Sequence, residues 1–358
     1  MRLADAKLAP ALCAPEYAHA APPAPGGAIE VAPGVLWLRM GLPFALNHVN
    51  CWLLRDTLGW TAVDCGLGDE ATRALWETHF ASTLAGRPIV RVIATHAHPD
   101  HLGLAGWLAR RWSCPLWMTQ GEYLWSHALA NRTGGYGGAF TREFFVSHGL
   151  EPERAAAAIL RTDAYRSEVP ELCTAYRRIF DGERIAVGER QWRVIMGYGH
   201  SSEHAALYCE SHALLISGDM LLPAITTNVS VWPSEPDADP VRLYLDSLER
   251  LAALPGETLV LPSHGLPFRG ARERVAALRA HHAGRLEDLA AALDAPRTAA
   301  QVLPALFRRP LDTHQLFFAM GEAIAHLNHL YYAGAVERIA RSDGSLAFMR
   351  SAPYALSS

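Results

Sequence analysis

The six residues His96-Ala-His98-Pro-Asp100-His101 gather three imidazoles and a carboxylate in one short stretch of chain. Imidazole is the commonest metal ligand among side chains. Two imidazoles with one residue between them can share a cation, and the neighbouring Asp100-His101 pair points elsewhere and suits a second. Zinc accepts mixed N/O donors of this kind, and water bound at such a site has its pKa pulled toward about 7. Iron or manganese suits the same donors. Two histidines leave a cation under-coordinated, so further ligands must come from elsewhere. Three later hydrophobic runs each end on a candidate: His200 in GYGHSSEH, Asp219 in ISGDM and His264 in LPSHG.

Those runs belong to the elements that must position the site. The segments 35–40, 50–56 and 60–66 read as short strands rich in Val, Leu and Trp, the last ending at Asp64. Helical spacing with an acidic first turn follows over 69–84. PIVRVIAT (88–95) is an apolar run suited to a buried strand and stops at the histidine motif. Helix 102–112 and strand 115–119 come next. Residues 120–178 are helical in composition and carry the break NRTGGYGG (131–138), so they read as a helical insertion with a mobile loop. Strand signals return from 179 and end at His264. After Gly270 the pattern is helical over 271–293, 299–307 and 313–334. A hairpin then turns at Asp343–Gly344. Three helices and a hairpin suggest a winged-helix-like domain over 271–358. Residues 1–28 read as a flexible Ala/Pro leader and 29–270 as the catalytic domain.

Composition narrows the function classes. The chain has 358 residues, half of them hydrophobic, and a net charge of −4, which argues against a dedicated binder of nucleic acid or anionic membrane. No apolar run reaches the roughly 20 residues that span a bilayer. The 17 histidines outnumber the six cysteines, none of which forms a CxxC pair. Scattered cysteines of this kind read as small buried hydrophobes in a reducing cytoplasm.

In order, Asp64, His96/His98/Asp100/His101, His200, Asp219 and His264 resemble the signature of the metallo-β-lactamase fold superfamily: an early strand-end Asp, HxHxDH, a His in a GH[ST] turn, an Asp after a strand and a late His. The resemblance covers about residues 30–270. It implies an α+β fold, a four-layer αββα sandwich with a binuclear metal site along one edge. Carried over by position, one metal has His96, His98 and His200, and the other has Asp100, His101 and His264. Asp219 bridges the two, while Asp64 holds the motif turn without ligating. Two zinc ions are the implied cofactors. The set looks like the glyoxalase II-type branch and unlike the β-lactamases with a Cys ligand, and the region after 270 resembles the winged-helix tail of a neighbouring subgroup.

The activity so implied is hydrolysis by a metal-bridging hydroxide, with Asp100 accepting and returning a proton and Asp219 between the metals. The substrate expected is a small thioester or acyl ester of glutathione or CoA type. An endoribonuclease or phosphodiesterase and a lactonase are the alternatives on the same site. The tail carries ten arginines against eight acidic residues over 271–358, weak for RNA, so no nucleic-acid partner is expected, and the tail is a candidate for homodimerisation. Four further residues are candidates for contact or support. Tyr136, in GGYGG, sits on a lid or merely at an insertion tip. Tyr198 could orient a substrate oxygen or be a buried strand tyrosine. His204, four after His200, and Asp64 neighbour the ligands. His281 and His282 on a charged helix read as solvated, and His326 and His329 as packing or surface residues.

Overall fold

A computed structural model describes residues 15–351, apart from the side chains of 158–163 and 314. Residues 1–14 of the expected leader and the last residues, 352–358, lie outside the described part. Within the rest of the Ala/Pro segment, Glu16–Tyr17 forms a strand paired antiparallel with Phe268–Arg269.

The chain divides into two compact units, the first made of residues up to 130 with 165–227 and 247–276. Two seven-stranded sheets form its centre. One runs in the order Ile29–Ala32, Val35–Gly41, His48–Arg55, Trp60–Val63, Ile89–Ile93, Leu116–Met118, Arg177–Arg178. Its first strands are antiparallel and its last four parallel. The other runs Glu16–Tyr17, Phe268–Arg269, Leu259–Pro262, Leu214–Gly218, His204–Cys209, Arg190–Gly197, Arg184–Val187.

Strand periodicity explains the layering. Val35, Trp37, Trp52 and Leu54 pack in one cluster with Ile185, Trp192, Val194, Leu207, Ile216 and Leu261 of the opposite sheet. The alternate residues Leu38, Met40, Cys51 and Leu53 turn the other way, into a cluster with Trp76, Trp107 and Leu108 of the covering helices. A side-chain period of two therefore gives the first sheet two buried faces. Burying one large apolar side chain contributes roughly 1.5–3 kcal/mol, and Trp37, Trp52 and Trp192 are all within 1% of full burial. Helix Glu70–Ala81 starts at Asp69, whose carboxylate accepts the Thr72 N–H at 2.7 Å. Trp76 Nε1 donates to the Cys65 carbonyl at 2.8 Å, tying this helix to the turn after Asp64. Outside the second sheet, Arg250 of helix Pro240–Ala252 donates to the Met196 carbonyl at 2.9 Å and pairs with Asp181 at 2.7 Å. The result is an αββα sandwich. No helix among the described residues is long and apolar enough to cross a membrane.

The second unit comprises residues 131–164, 228–246 and those from 277. Its helices include Gly138–Ser147, Pro152–Asp163, Ala299–Leu306 and Thr313–Tyr332. A three-stranded sheet orders Arg297–Thr298, Leu346–Arg350 and Val336–Ala340, the last two forming the expected terminal hairpin. Thr298 and Gln301 make a reciprocal capping box at the start of helix Ala299–Leu306. Gly149 has φ +85°, and a Cβ there would lie 2.1 Å from Thr298 Oγ1, so glycine alone fits.

One expectation is corrected in this unit. His282, read as solvated, is 2% exposed. Its ring stacks on His326 with centroids 5.3 Å apart, and Nδ1 lies 3.1 Å from His326 Nε2. His326 Nδ1 in turn meets the Glu322 carbonyl at 2.8 Å. His282 follows Leu278 by four residues and precedes Leu289 by seven on helix Ala271–Ala291, so it shares the face that carries these two buried leucines, and the surrounding charges of the helix hid that stripe. His326 is buried, and His329 pairs with Asp239 at 3.0 Å.

Candidate metal centre

Every candidate ligand sits where a strand stops. Ile89–Ile93 is a central parallel strand, and three residues beyond its end the chain reaches His96. Pro99 then opens the short helix Pro99–Leu102, with His98 as its N-cap residue and Asp100 and His101 inside it. Proline at a first helical position presets φ and lacks only an N–H that would have no intrahelical partner. His200 follows strand Arg190–Gly197, Asp219 follows Leu214–Gly218 and His264 follows Leu259–Pro262. These three strands run in the same direction, so their last residues share one edge. Glycines at positive φ make the turns: Gly199 (+95°), Gly218 (+54°) and Gly265 (+90°).

The candidate donor atoms converge into two groups, His96/His98/His200/Asp219 and Asp100/His101/His264, each with its atoms within 4.8 Å of one another. His96 Nε2 lies 2.9 Å from His98 Nδ1 and 3.3 Å from His200 Nε2. In the second group, Asp100 Oδ2 is 3.6 Å from His101 Nε2 and 3.5 Å from His264 Nε2. Asp219 reaches both groups. Its Oδ2 is 3.3 Å from His200 Nε2, while its Oδ1 is 3.3 Å from His264 Nε2 and 3.6 Å from His101 Nε2.

The backs of the rings are held. Asp64 Oδ2 faces His101 Nδ1 at 2.8 Å, and its Oδ1 accepts the Thr95 N–H at 2.8 Å. Asp64 has φ +59°, a left-handed conformation that Asp tolerates better than most residues. Thr95 Oγ1 meets His96 Nδ1 at 3.0 Å, and the His48 carbonyl meets His264 Nδ1 at 2.7 Å. With Nδ1 engaged outward, Nε2 of His96, His101 and His264 is left facing inward. His204 Nε2 accepts the Asp219 backbone N–H at 3.1 Å, and a Cβ on Gly218 would lie 2.2 Å from that nitrogen.

This arrangement fits cations. His101 Nε2 and Asp219 Oδ1 are buried without a hydrogen-bond partner among the described residues. Orphaned buried polar atoms are uncommon because each costs roughly 1–3 kcal/mol. The electrostatics agree. Burial and the neighbouring imidazoles hold His96 and His98 well below the usual histidine range, so they are neutral and can donate a lone pair. Burial also opposes a charge on His101 and His264, but Asp100, Asp219 and, for His101, Asp64 overcome it and raise both. Against the same burial, His264 and His101 hold Asp219 well below the carboxylate range. The acidic half of the cluster therefore calls for positive charge.

Tyr198 turns its hydroxyl onto Met196 Sδ at 3.6 Å, with its backbone N–H on Ser247 Oγ. Tyr136 is half-buried in the second unit, closing the 3-10 turn Gly134–Tyr136. Several supporting residues carry no motif. Arg39 Nη2 and Asn50 Nδ2 donate to the Gly265 carbonyl at 2.6 and 3.0 Å, and the Gly265 N–H donates to His48 Nε2 at 2.8 Å. Burial, Arg39 and His264 bring His48 down to about 3, keeping that nitrogen an acceptor. Only Thr95, directly before the motif, had a signal in the sequence, as a hydroxyl at a strand end.

Residues 45–264 match a family described as the metallo-beta-lactamase superfamily, and residues 286–351 match its "Metallo-beta-lactamase-like, C-terminal domain". The chain is 30% identical over 302 residues to "Probable metallo-hydrolase YqjP" of Bacillus subtilis, covering 83% of this chain and 92% of that one. A beta-lactamase domain protein from Burkholderia ambifaria, known as a crystal structure, is 48% identical with a TM-score of 0.89, covering 94% and 98% of the two chains. The Bos taurus "Acyl-coenzyme A thioesterase MBLAC2" is 26% identical over 252 residues, 67% of this chain and 81% of the relative.

Proposed function

The chain belongs to the metallo-β-lactamase superfamily, and from that premise we propose that it is a binuclear zinc hydrolase of thioesters or related acyl esters. In this reading His96, His98 and His200 hold one ion, Asp100, His101 and His264 hold the other, and Asp219 holds both. The carrying observation is the split of Asp219, one oxygen 3.3 Å from His200 Nε2 and the other 3.3 Å from His264 Nε2. When bound, the ions supply a water ionised near neutral pH and a Lewis acid for the scissile carbonyl.

The chain's own residues do the rest. Asp64, Thr95 and the His48 carbonyl fix the ring orientations. Asp100 is 21% exposed while the imidazole of His101 beside it is shut off from solvent. In this reading its carboxylate would accept the proton that the bound water gives up and return it to the leaving group. A thiolate leaving group needs little such help because its own pKa is low, near 8.5 for an ordinary thiol. The likeness to an acyl-CoA thioesterase and the all-His/Asp donor set support a CoA- or glutathione-type thioester as substrate.

The test is steady-state hydrolysis of a panel of acyl-CoAs and S-lactoylglutathione by the zinc-loaded protein. Turnover on at least one thioester, abolished by His98→Ala, is expected. Turnover confined to lactones or RNA in parallel assays would reject the thioester reading and keep the hydrolase.

A further inference from the structure

Glu122 belongs to no motif and lies in the first turn of helix Gln120–Ala130, fully buried. Its Oε2 accepts the Ala97 N–H at 2.8 Å. Its Oε1 accepts the Glu203 N–H at 2.8 Å and the Ser202 hydroxyl at 3.0 Å. Ala97 stands between His96 and His98, and Ser202 and Glu203 follow His200. The Ala97 carbonyl accepts from Tyr165 OH at 2.8 Å, so this residue is held at both its N–H and its C=O. The clasp is reciprocal. Glu203 Oε2 accepts the Gly121 N–H at 2.7 Å, and Thr119 Oγ1 donates to the Glu203 carbonyl at 2.7 Å. The two segments approach so closely that a Cβ on Gly121 would lie 2.9 Å from Glu203 Cδ.

We infer that Glu122 is a positioning residue for the His96/His98/His200 group, its carboxylate binding the two loops that carry these histidines into one register. The inference rests on reading the cluster as a metal site. Three donors point at Glu122, and an ionised carboxylate is a pure acceptor with room for all of them. Glutamine keeps the shape but turns an N–H toward a donor. The Asp100/His101/His264 group is supported by Asp64, Arg39, His48 and Asn50 instead, so the dependence on Glu122 is selective.

Selectivity makes the test. Chelator-stripped full-length protein is titrated with Co2+ and followed by visible absorption in two backgrounds. His264→Ala leaves the first group as the complete one, and His98→Ala leaves the second. Loss of a residue that orients metal ligands typically weakens binding by about 10–100-fold. That loss is expected for Glu122→Gln in the His264→Ala background, against less than about threefold in the His98→Ala background. Equal loss in both, or none in the first, overturns the inference. If circular dichroism shows Glu122→Gln unfolded, Glu203→Gln, which loosens only the bond to Gly121, carries the test. A loss of about threefold or more confined to the first group is then expected, and no loss overturns it. If folded wild-type protein takes up no Co2+, the metal reading falls and the inference with it, a result distinct from uptake that ignores Glu122.

Discussion

Asp64 places Oδ2 2.8 Å from His101 Nδ1, with both side chains shut off from solvent. This bond fixes the His101 tautomer: Nδ1 carries the proton and Nε2 faces Asp100 and Asp219. Asn at position 64 keeps the left-handed backbone that Asp64 adopts at φ +59° and can still accept from Thr95. It loses the carboxylate that His101 faces. Asp64→Asn is expected to lower metal affinity by about 10–100-fold with a small change in thermal midpoint, measured by metal titration beside thermal unfolding. Unchanged affinity would refute the role given to Asp64.

His204 acts on Asp219 through the backbone. Its Nε2 is the acceptor for the Asp219 N–H at 3.1 Å, and replacing it with Ala leaves a buried donor unsatisfied. A destabilisation of about 1–3 kcal/mol is expected. Gly218→Ala attacks the same contact from the other side, because its Cβ would press on that nitrogen at 2.2 Å while the backbone holds φ +54°. Thermal unfolding of both variants checks this. A Gly218→Ala protein as stable as wild type would show that the close approach is absent in solution.

The His282–His326 pair predicts an acid-labile second unit. Burial, with the nearby imidazoles and Arg285, lowers His282 to about 2, and burial lowers His326 to about 4. An unfolded histidine titrates near 6.5. Below that pH the unfolded chain binds protons that the folded chain refuses, so stability present above pH 6.5 is lost as pH falls. The loss runs to about 4 for His326 and continues toward about 2 for His282, at up to about 1.4 kcal/mol per pH unit per group. Thermal midpoints at pH 7 and pH 5 for wild type and His326→Gln give the check. The variant is expected to lose less between the two, and an equal loss would rule the pair out as the acid-sensitive element.

The chain's chemistry was legible where it was local. His96, His98, Asp100 and His101 lie within six residues, and His200, Asp219 and His264 each follow an apolar run whose strand character shows in the sequence. Strand ends on one edge then bring the seven together. Asp64 and His204 were named as neighbours of the ligands, but the other supports were not legible, because most are single polar residues meeting a distant one. His48 reaches Gly265 across 217 positions, and Glu122 reaches Glu203 across 81. On helix Gln120–Ala130, Glu122 looks like any solvated carboxylate until the loops close over it. His282 misled for the same reason, since its partner stands 44 residues later on another helix.

Metal content per chain tests the central claim most directly. After chelation and reconstitution with zinc, elemental analysis is expected to give two ions per wild-type chain. His98→Ala and His264→Ala should each keep one. One ion or fewer in folded wild-type protein, or both ions lost together in either variant, would contradict a binuclear centre shared through Asp219.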